Sequence, residues 1–217
     1  MQPDAVLSGL TPTLVAFGIG IALAGAPGPV QAVLVSEAMR GGVGRGLRAL
    51  AGASLTFGSL LAAVALGWGL TAPDPGVVRI LKVAGGVLLL WLAFDAIRSD
   101  AAAASGGEYH RGLPPAARGS LAVALNPGAW LFTAAVASPL IAASGNAGGT
   151  PAALLSAAAL MGGAALGDGA IVLLGGLGLR RAGRRAGHWI HAGLATLLGL
   201  LGLTLLAGGL VAGGPLA

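Results

Sequence analysis

The chain has 217 residues, of which 56% are apolar and 9% charged, with 40 Gly, no Cys and a net charge of +5; its mean hydropathy is +0.89. A soluble domain carries about 25% charged residues, so this composition leaves too few charges to coat a globule and points to a lipid bilayer as solvent. The basic residues sit in short gaps between apolar runs rather than on one soluble face, which excludes nucleic acid as a partner, and the absence of Cys excludes a disulfide framework, thiolate metal sites and a Cys nucleophile.

A bilayer crossing needs roughly 20 apolar residues. Met1 to Leu10 contains no Lys or Arg and leads to no cleavage site, so the first apolar run is expected to be a retained span. Asp4 and Glu37 enclose 32 uncharged residues and Arg48 and Asp74 enclose 25, which gives spans one and two. Span three is the weakest, because Lys82 and Asp95 enclose only 12 uncharged residues. It must run from about Val77 to Ile97, with Arg79, Lys82 and Arg98 snorkelling to the interfaces and Asp95 one turn from Arg98, close enough to pair. Arg118 to Asp168 encloses 49 uncharged residues, too many for one helix, and Ser144 to Pro151 breaks the run. Span four is then about Gly119 to Ala143, span five about Ala152 to Leu179 and span six about Trp189 to Ala212.

The expected fold is an all-α polytopic membrane protein, one transmembrane domain over 1–217 with a first repeat at about 10–98 and a second at about 119–212. Ser99 to Arg118 has the Ala, Gly and Pro content of a flexible linker. Each half has an odd number of spans, so the second enters the membrane in the opposite sense, the arithmetic of an inverted-topology repeat. Ten of the 12 Lys and Arg lie in the connections one-two, three-four and five-six, against Arg79 and Lys82 on the other side. This places those connections in the cytoplasm and both termini outside.

Three irregularities interrupt the spans. Span one contains Ala26-Pro27-Gly28-Pro29 and span four contains Asn126-Pro127-Gly128. Each proline removes an amide donor and obstructs a carbonyl one turn earlier, so both helices should break. Freed backbone groups at membrane depth need protein or a watery cavity, so matching breaks point to a polar site shared by the halves; plain structural kinks are the alternative. Asp168 is the only charged residue deep in a span, where an acid normally faces a cavity, a partner or an ion path, and where a packing hydrogen bond to a neighbouring helix is the alternative. Counted from Arg40, Arg118 and Arg180, the residues Gly28, Pro127 and Asp168 lie about 18, 14 and 18 Å deep, near the midplane of a 30 Å core.

Other features carry less. His110, His188 and His191 belong to cytoplasmic connections without metal-ligand spacing. The Arg180 to Arg185 cluster reads as a topology signal, with lipid contact as a by-product. Gly163 and Gly167 have the spacing of close helix packing. Gly41 to Arg48 is Gly-rich but lacks the strand and the Lys-Ser/Thr ending of a phosphate loop, so no nucleotide site and no cofactor is expected.

With these residues placed, the chain resembles the lysine exporter family, the LysE and RhtB type of bacterial amino-acid efflux protein. Phe17 to Pro29 is similar to the family's signature ending in Pro-Gly-Pro, followed by the Gly-Gly-x-Gly-Arg-Gly-Leu turn at Gly41 to Leu47. Leu81 to Gly86 with Trp91 to Phe94 and Ile97-Arg98 resembles its third span, Arg118 to Pro127 its Asn-Pro segment, and Asp168 falls where many members carry an acid. The chain departs from the pattern at Gly128, where the family usually has Lys, at Leu88, where Tyr is frequent, and in span two, which keeps only Ser54 and Thr56 where many members place an acid.

The resemblance implies a secondary exporter of an amino acid or related small polar solute across the bacterial inner membrane, driven by the proton-motive force. Pro27, Gly28, Pro29, Asn126, Pro127, Gly128 and Asp168 would form the substrate path, with Asp168 as proton carrier or solute contact. The departures imply a different charge pattern on the solute. An intramembrane enzyme would need a nucleophile with a base, or a metal cluster, at depth; a structural or accessory membrane protein would use the small-residue faces. The implied partners are the solute and the lipid bilayer, with a homo-oligomer left open.

Overall fold

A computed structural model describes residues 3–26, 28–68, 74–104, 112–181 and 183–211. They form helices α1 (Pro3–Gly25), α2 (Pro29–Gly41), α3 (Val43–Ala65), α4 (Pro75–Ala104), α5 (Pro115–Ala124), α6 (Pro127–Phe132), α7 (Ser138–Arg181) and α8 (Gly183–Val211), with a π-helical turn at Thr133–Ala137 joining α6 to α7. Five of these helices begin on a proline. The first helical position has no intrahelical use for its N–H and favours the φ that proline fixes, so proline starts a helix as readily as it breaks one. The described residues are all-α.

The residues left outward are those that lipid accepts. Leu55, Ile80 and Leu174 are each two-thirds or more exposed, where a soluble surface would carry charge. Val43–Ala65, Pro75–Asp95 and Pro127–Leu177 are long and apolar enough to cross a membrane, and the bent pair of α1 and α2 would make a fourth span. Ala195–Val211 is apolar over a shorter length.

Where the chain breaks follows from local chemistry. α1 and α2 meet at 67°. The expected break over Ser144 to Pro151 is narrower, because Ser144 stays in the helix, its hydroxyl on the Leu140 carbonyl at 3.1 Å and on the Ser156 hydroxyl at 2.7 Å. Only Gly148 and Gly149 leave helical geometry, Gly149 at a φ of 71° that favours glycine. The expected linker is also shorter at both ends, since α4 continues through Ala104 and α5 starts at Pro115.

Four long-range pairings hold the bundle together: α1 with α7, α3 with α5, α3 with α7, and α4 with α8. The first, second and fourth cross at glycines that face backbone. A Cβ on Gly20 would strike the Leu160 carbonyl and one on Gly163 the Phe17 carbonyl; Gly52 and Gly119 stand in the same relation to the carbonyls of Ala116 and Ala49. In α4 and α8, Cβ atoms on Gly86 and Gly202 would lie 2.8 and 3.0 Å from each other's carbonyls. Small residues let helices approach where lipid supplies no hydrophobic drive for association. α1 and the second part of α7 run parallel, since residue 17 faces 163 and 24 faces 167, whereas α4 and α8 run antiparallel, with 83 facing 209 and 90 facing 202. α3 runs parallel to α5 and α6: Ser120 bonds to Gly52, and Phe132 stacks beside Phe57 at 6.2 Å.

Candidate functional site

The two helix breaks open on one cavity of about 260 Å³. At the first, α1 ends at Gly25 and the chain re-enters helix at Pro29 through Gly28, whose backbone is extended. At the second, Asn126 caps α6, its side-chain oxygen accepting the Gly128 N–H at 2.9 Å. The proline at the first position of each following helix has no N–H to give to the previous turn, so the helical ladder is interrupted there. Gly28, Pro29, Asn126, Gly128 and Asp168 all line this cavity. Pro127 is buried behind it, and Pro27 lies outside the described residues, as does His110.

Asp168 reaches the cavity from α7 and is 8% exposed. One of its oxygens accepts from the Gln31 side-chain amide at 3.2 Å; the other has no hydrogen bond among the described residues. Gln31 stands in the first turn of α2, so α2 presents an amide to the acid of α7. Sequence reasoning passed over Gln31. Its signal was there, as the strongest hydrogen-bonding side chain in the interior of span one, which costs free energy at depth unless it finds a partner. Apart from the Ser54 hydroxyl, the rest of the wall is apolar, with Leu23, Val30, Phe57, Val123, Phe132 and Met161.

A second cavity, about 590 Å³, lies further along the same helices, lined by Leu66, Gly67, Ser138, Asn146 and Thr150 among others. Between the two cavities Leu61, Ala137, Ala157 and Leu160 are buried in one apolar cluster. The π-helical turn falls within this barrier. Such turns distort the helical ladder and are frequent at functional sites.

On the opposite side of the central cavity the helix ends carry a buried ion network. Glu37 of α2 is 1% exposed, Asp95 of α4 3% and Arg118 of α5 2%. Arg118 reaches Glu37 at 3.2 Å and Asp95 at 2.6 Å, donates through Nε to the Leu113 carbonyl at 2.9 Å and lies over the Trp91 ring. Arg40 bridges the same two carboxylates at 3.3 and 2.8 Å, and Arg45 of α3 meets Glu37 at 2.6 Å. The expected Asp95–Arg98 pairing is thereby corrected. Asp95 faces inward to Arg40 and Arg118, and Arg98 lies outside over Phe94, 4.4 Å from the ring centre. Likewise Arg118, expected at the end of a solvated linker, is a core residue tying α5 to α2 and α4.

No curated protein and no solved structure matches the chain. The family model of the LysE type translocators matches residues 21–209. That range contains both helix breaks, the cavity between them and the charge network, so the chain belongs to the LysE type translocator family, multi-pass membrane proteins that move small solutes out of the cell and are not enzymes.

Proposed function

We propose that this translocator is a secondary exporter of an amino acid or a related small polar solute, crossing the bacterial inner membrane six times as two inverted three-helix halves. The stretch Pro127–Leu177 has 51 residues, about 76 Å of helix, more than twice a 30 Å core. Divided at Gly148 and Gly149, it supplies spans four and five; α8 supplies the sixth. The helix pairings support this repeat. Exchanging the halves turns the parallel α1–α7 crossing into the parallel α3–α5 crossing and returns the antiparallel α4–α8 crossing to itself. The ten-to-two division of basic residues puts the charge network on the cytoplasmic side and both termini outside.

Along the axis the order is then outer cavity, apolar barrier, central cavity, charge network. A solute site between two barriers suits alternating access, in which one barrier opens while the other holds. Substrate path residues are Pro27, Gly28, Pro29, Asn126, Pro127 and Gly128, with Asp168 as proton carrier or solute contact. A carboxyl group at this position can take a proton from one side and release it to the other as the halves move. The single observation that carries the reading is that both helix breaks and the one deep acid line the same cavity.

The test is efflux from loaded proteoliposomes. A Cβ on Gly28 would meet Gln31 at an ordinary 3.4 Å, so a side chain fits there with its bulk in the cavity; one on Gly128 would meet the Asn126 oxygen at 3.1 Å, which must give by a few tenths of an ångström. Gly28→Leu and Gly128→Leu should each slow efflux about tenfold or more while the protein stays folded. Normal efflux by both variants contradicts a path between the halves.

A further inference from the structure

The lining of the central cavity also limits what kind of solute it can hold, an inference that rests on the transport reading above. Among the described residues Asp168 is the only ionisable side chain on the cavity wall, with no Lys, Arg or His lining it. One carboxylate oxygen is occupied by Gln31 and the other has no hydrogen bond among the described residues. The Asn126 oxygen is committed to the Gly128 amide. Ser54 adds one neutral hydroxyl, and the remaining wall is aliphatic, thioether and aromatic, from Leu23, Val30, Phe57, Val123, Phe132 and Met161.

We propose that the solute is a neutral amino acid with a bulky apolar side chain, such as leucine, methionine or phenylalanine. Its ammonium group meets that other oxygen of Asp168 as a charge-assisted hydrogen bond. Its carboxylate lies toward the start of α2, where Val30 and Gln31 carry first-turn N–H groups without intrahelical partners. Its side chain covers the apolar wall. A volume of about 260 Å³ is below the range of roughly 300–1,000 Å³ typical of drug-sized ligands and suits one such molecule. A second carboxylate on the solute would have no lining cation to meet, and a second ammonium group no second acid; either charge would be stripped of water without a partner. A small side chain would leave the apolar wall uncovered, and each missing methylene in such a pocket lowers selectivity by roughly tenfold or more.

Counterflow in proteoliposomes, with labelled leucine, methionine, phenylalanine, alanine, lysine and glutamate measured in turn, tests this. Leucine, methionine and phenylalanine should exchange at least about tenfold faster than lysine, glutamate or alanine. Met161→Glu, which adds a second acid to the wall, should raise lysine exchange and lower leucine exchange. Lysine or glutamate moving as fast as leucine in the wild type overturns the proposal, as does a folded Met161→Glu protein with the original ranking. Should that variant fail to assemble, the wild-type ranking decides alone. If none of the six moves, the amino-acid transport reading falls and this inference with it; movement without an apolar preference overturns this inference and leaves transport standing.

Discussion

Single side chains at membrane depth are legible in a sequence when they are costly there. Asp168 stood out because an acid in an apolar run must be met by something, and Gln31 is what meets it, at 3.2 Å. Pairing at the helix ends was not legible. Asp95 and Arg98 are one turn apart, and local spacing favours them as a pair, yet Asp95 takes Arg40 and Arg118, 55 and 23 positions away. Adjacency along a helix settles pairing only on an exposed face, and Asp95 is 3% exposed. The corrected pairing has a direct consequence. Asp95→Asn leaves two buried guanidinium groups short of a counter-charge and should cost about 3 to 5 kcal/mol, a fall in Tm of about 10 °C for a chain of this size. Arg98→Ala removes one exposed contact with Phe94, about 0.5 to 1 kcal/mol, and should shift Tm by no more than a few degrees. Thermal unfolding in detergent compares the two; equal effects would return Asp95 to Arg98.

Helices come together here through glycine, and the positions that matter are set by what lies opposite. Proline and glycine in the sequence located the breaks at Gly28 and Asn126 because the lost amide donor is a property of the residue itself. They did not locate the crossings, since 40 glycines offer many close approaches and only the fold selects among them. Gly52 and Gly119 face backbone carbonyls of the other helix, whereas Gly44 on the same α3 has nothing within 4 Å of its Cβ position. Backbone cannot yield as a side-chain tip does, so Gly52→Ala should destabilise by about 1 to 3 kcal/mol or more. Gly44→Ala should leave stability unchanged or slightly raised, as alanine is the better helix former. A tolerant Gly52 would show that α3 and α5 do not cross there. The same distinction explains the break in α7, where Ser144 looked like a breaker and is satisfied inside the helix, leaving Gly148 and Gly149 to turn the chain.

For the whole molecule, the two helix breaks meet around one cavity, with an apolar barrier on one side and a charge network on the other. The membrane class was readable because charge is excluded from lipid and so marks span ends. The outer cavity and its barrier were not readable, because Leu61, Ala137 and Leu160 are apolar residues among many and nothing but packing distinguishes them. The proposed orientation predicts that a Cys replacing Ser105 in this Cys-free chain is protected from an impermeant thiol reagent in intact cells and labelled only after permeabilisation, while a Cys at Asn146 is labelled from outside. Labelling of the Ser105 position in intact cells would invert the assignment.

The measurement that bears most directly on the central cavity is solute efflux and counterflow exchange in proteoliposomes, with and without an imposed pH gradient, for wild type and Asp168→Asn. Asparagine keeps the shape and one hydrogen-bonding oxygen for Gln31 but cannot carry a proton. The account predicts that gradient-driven accumulation is lost in Asp168→Asn, with any remaining movement confined to exchange that is indifferent to the gradient. An Asp168→Asn protein with the wild-type gradient dependence would contradict it and leave Asp168 a packing residue.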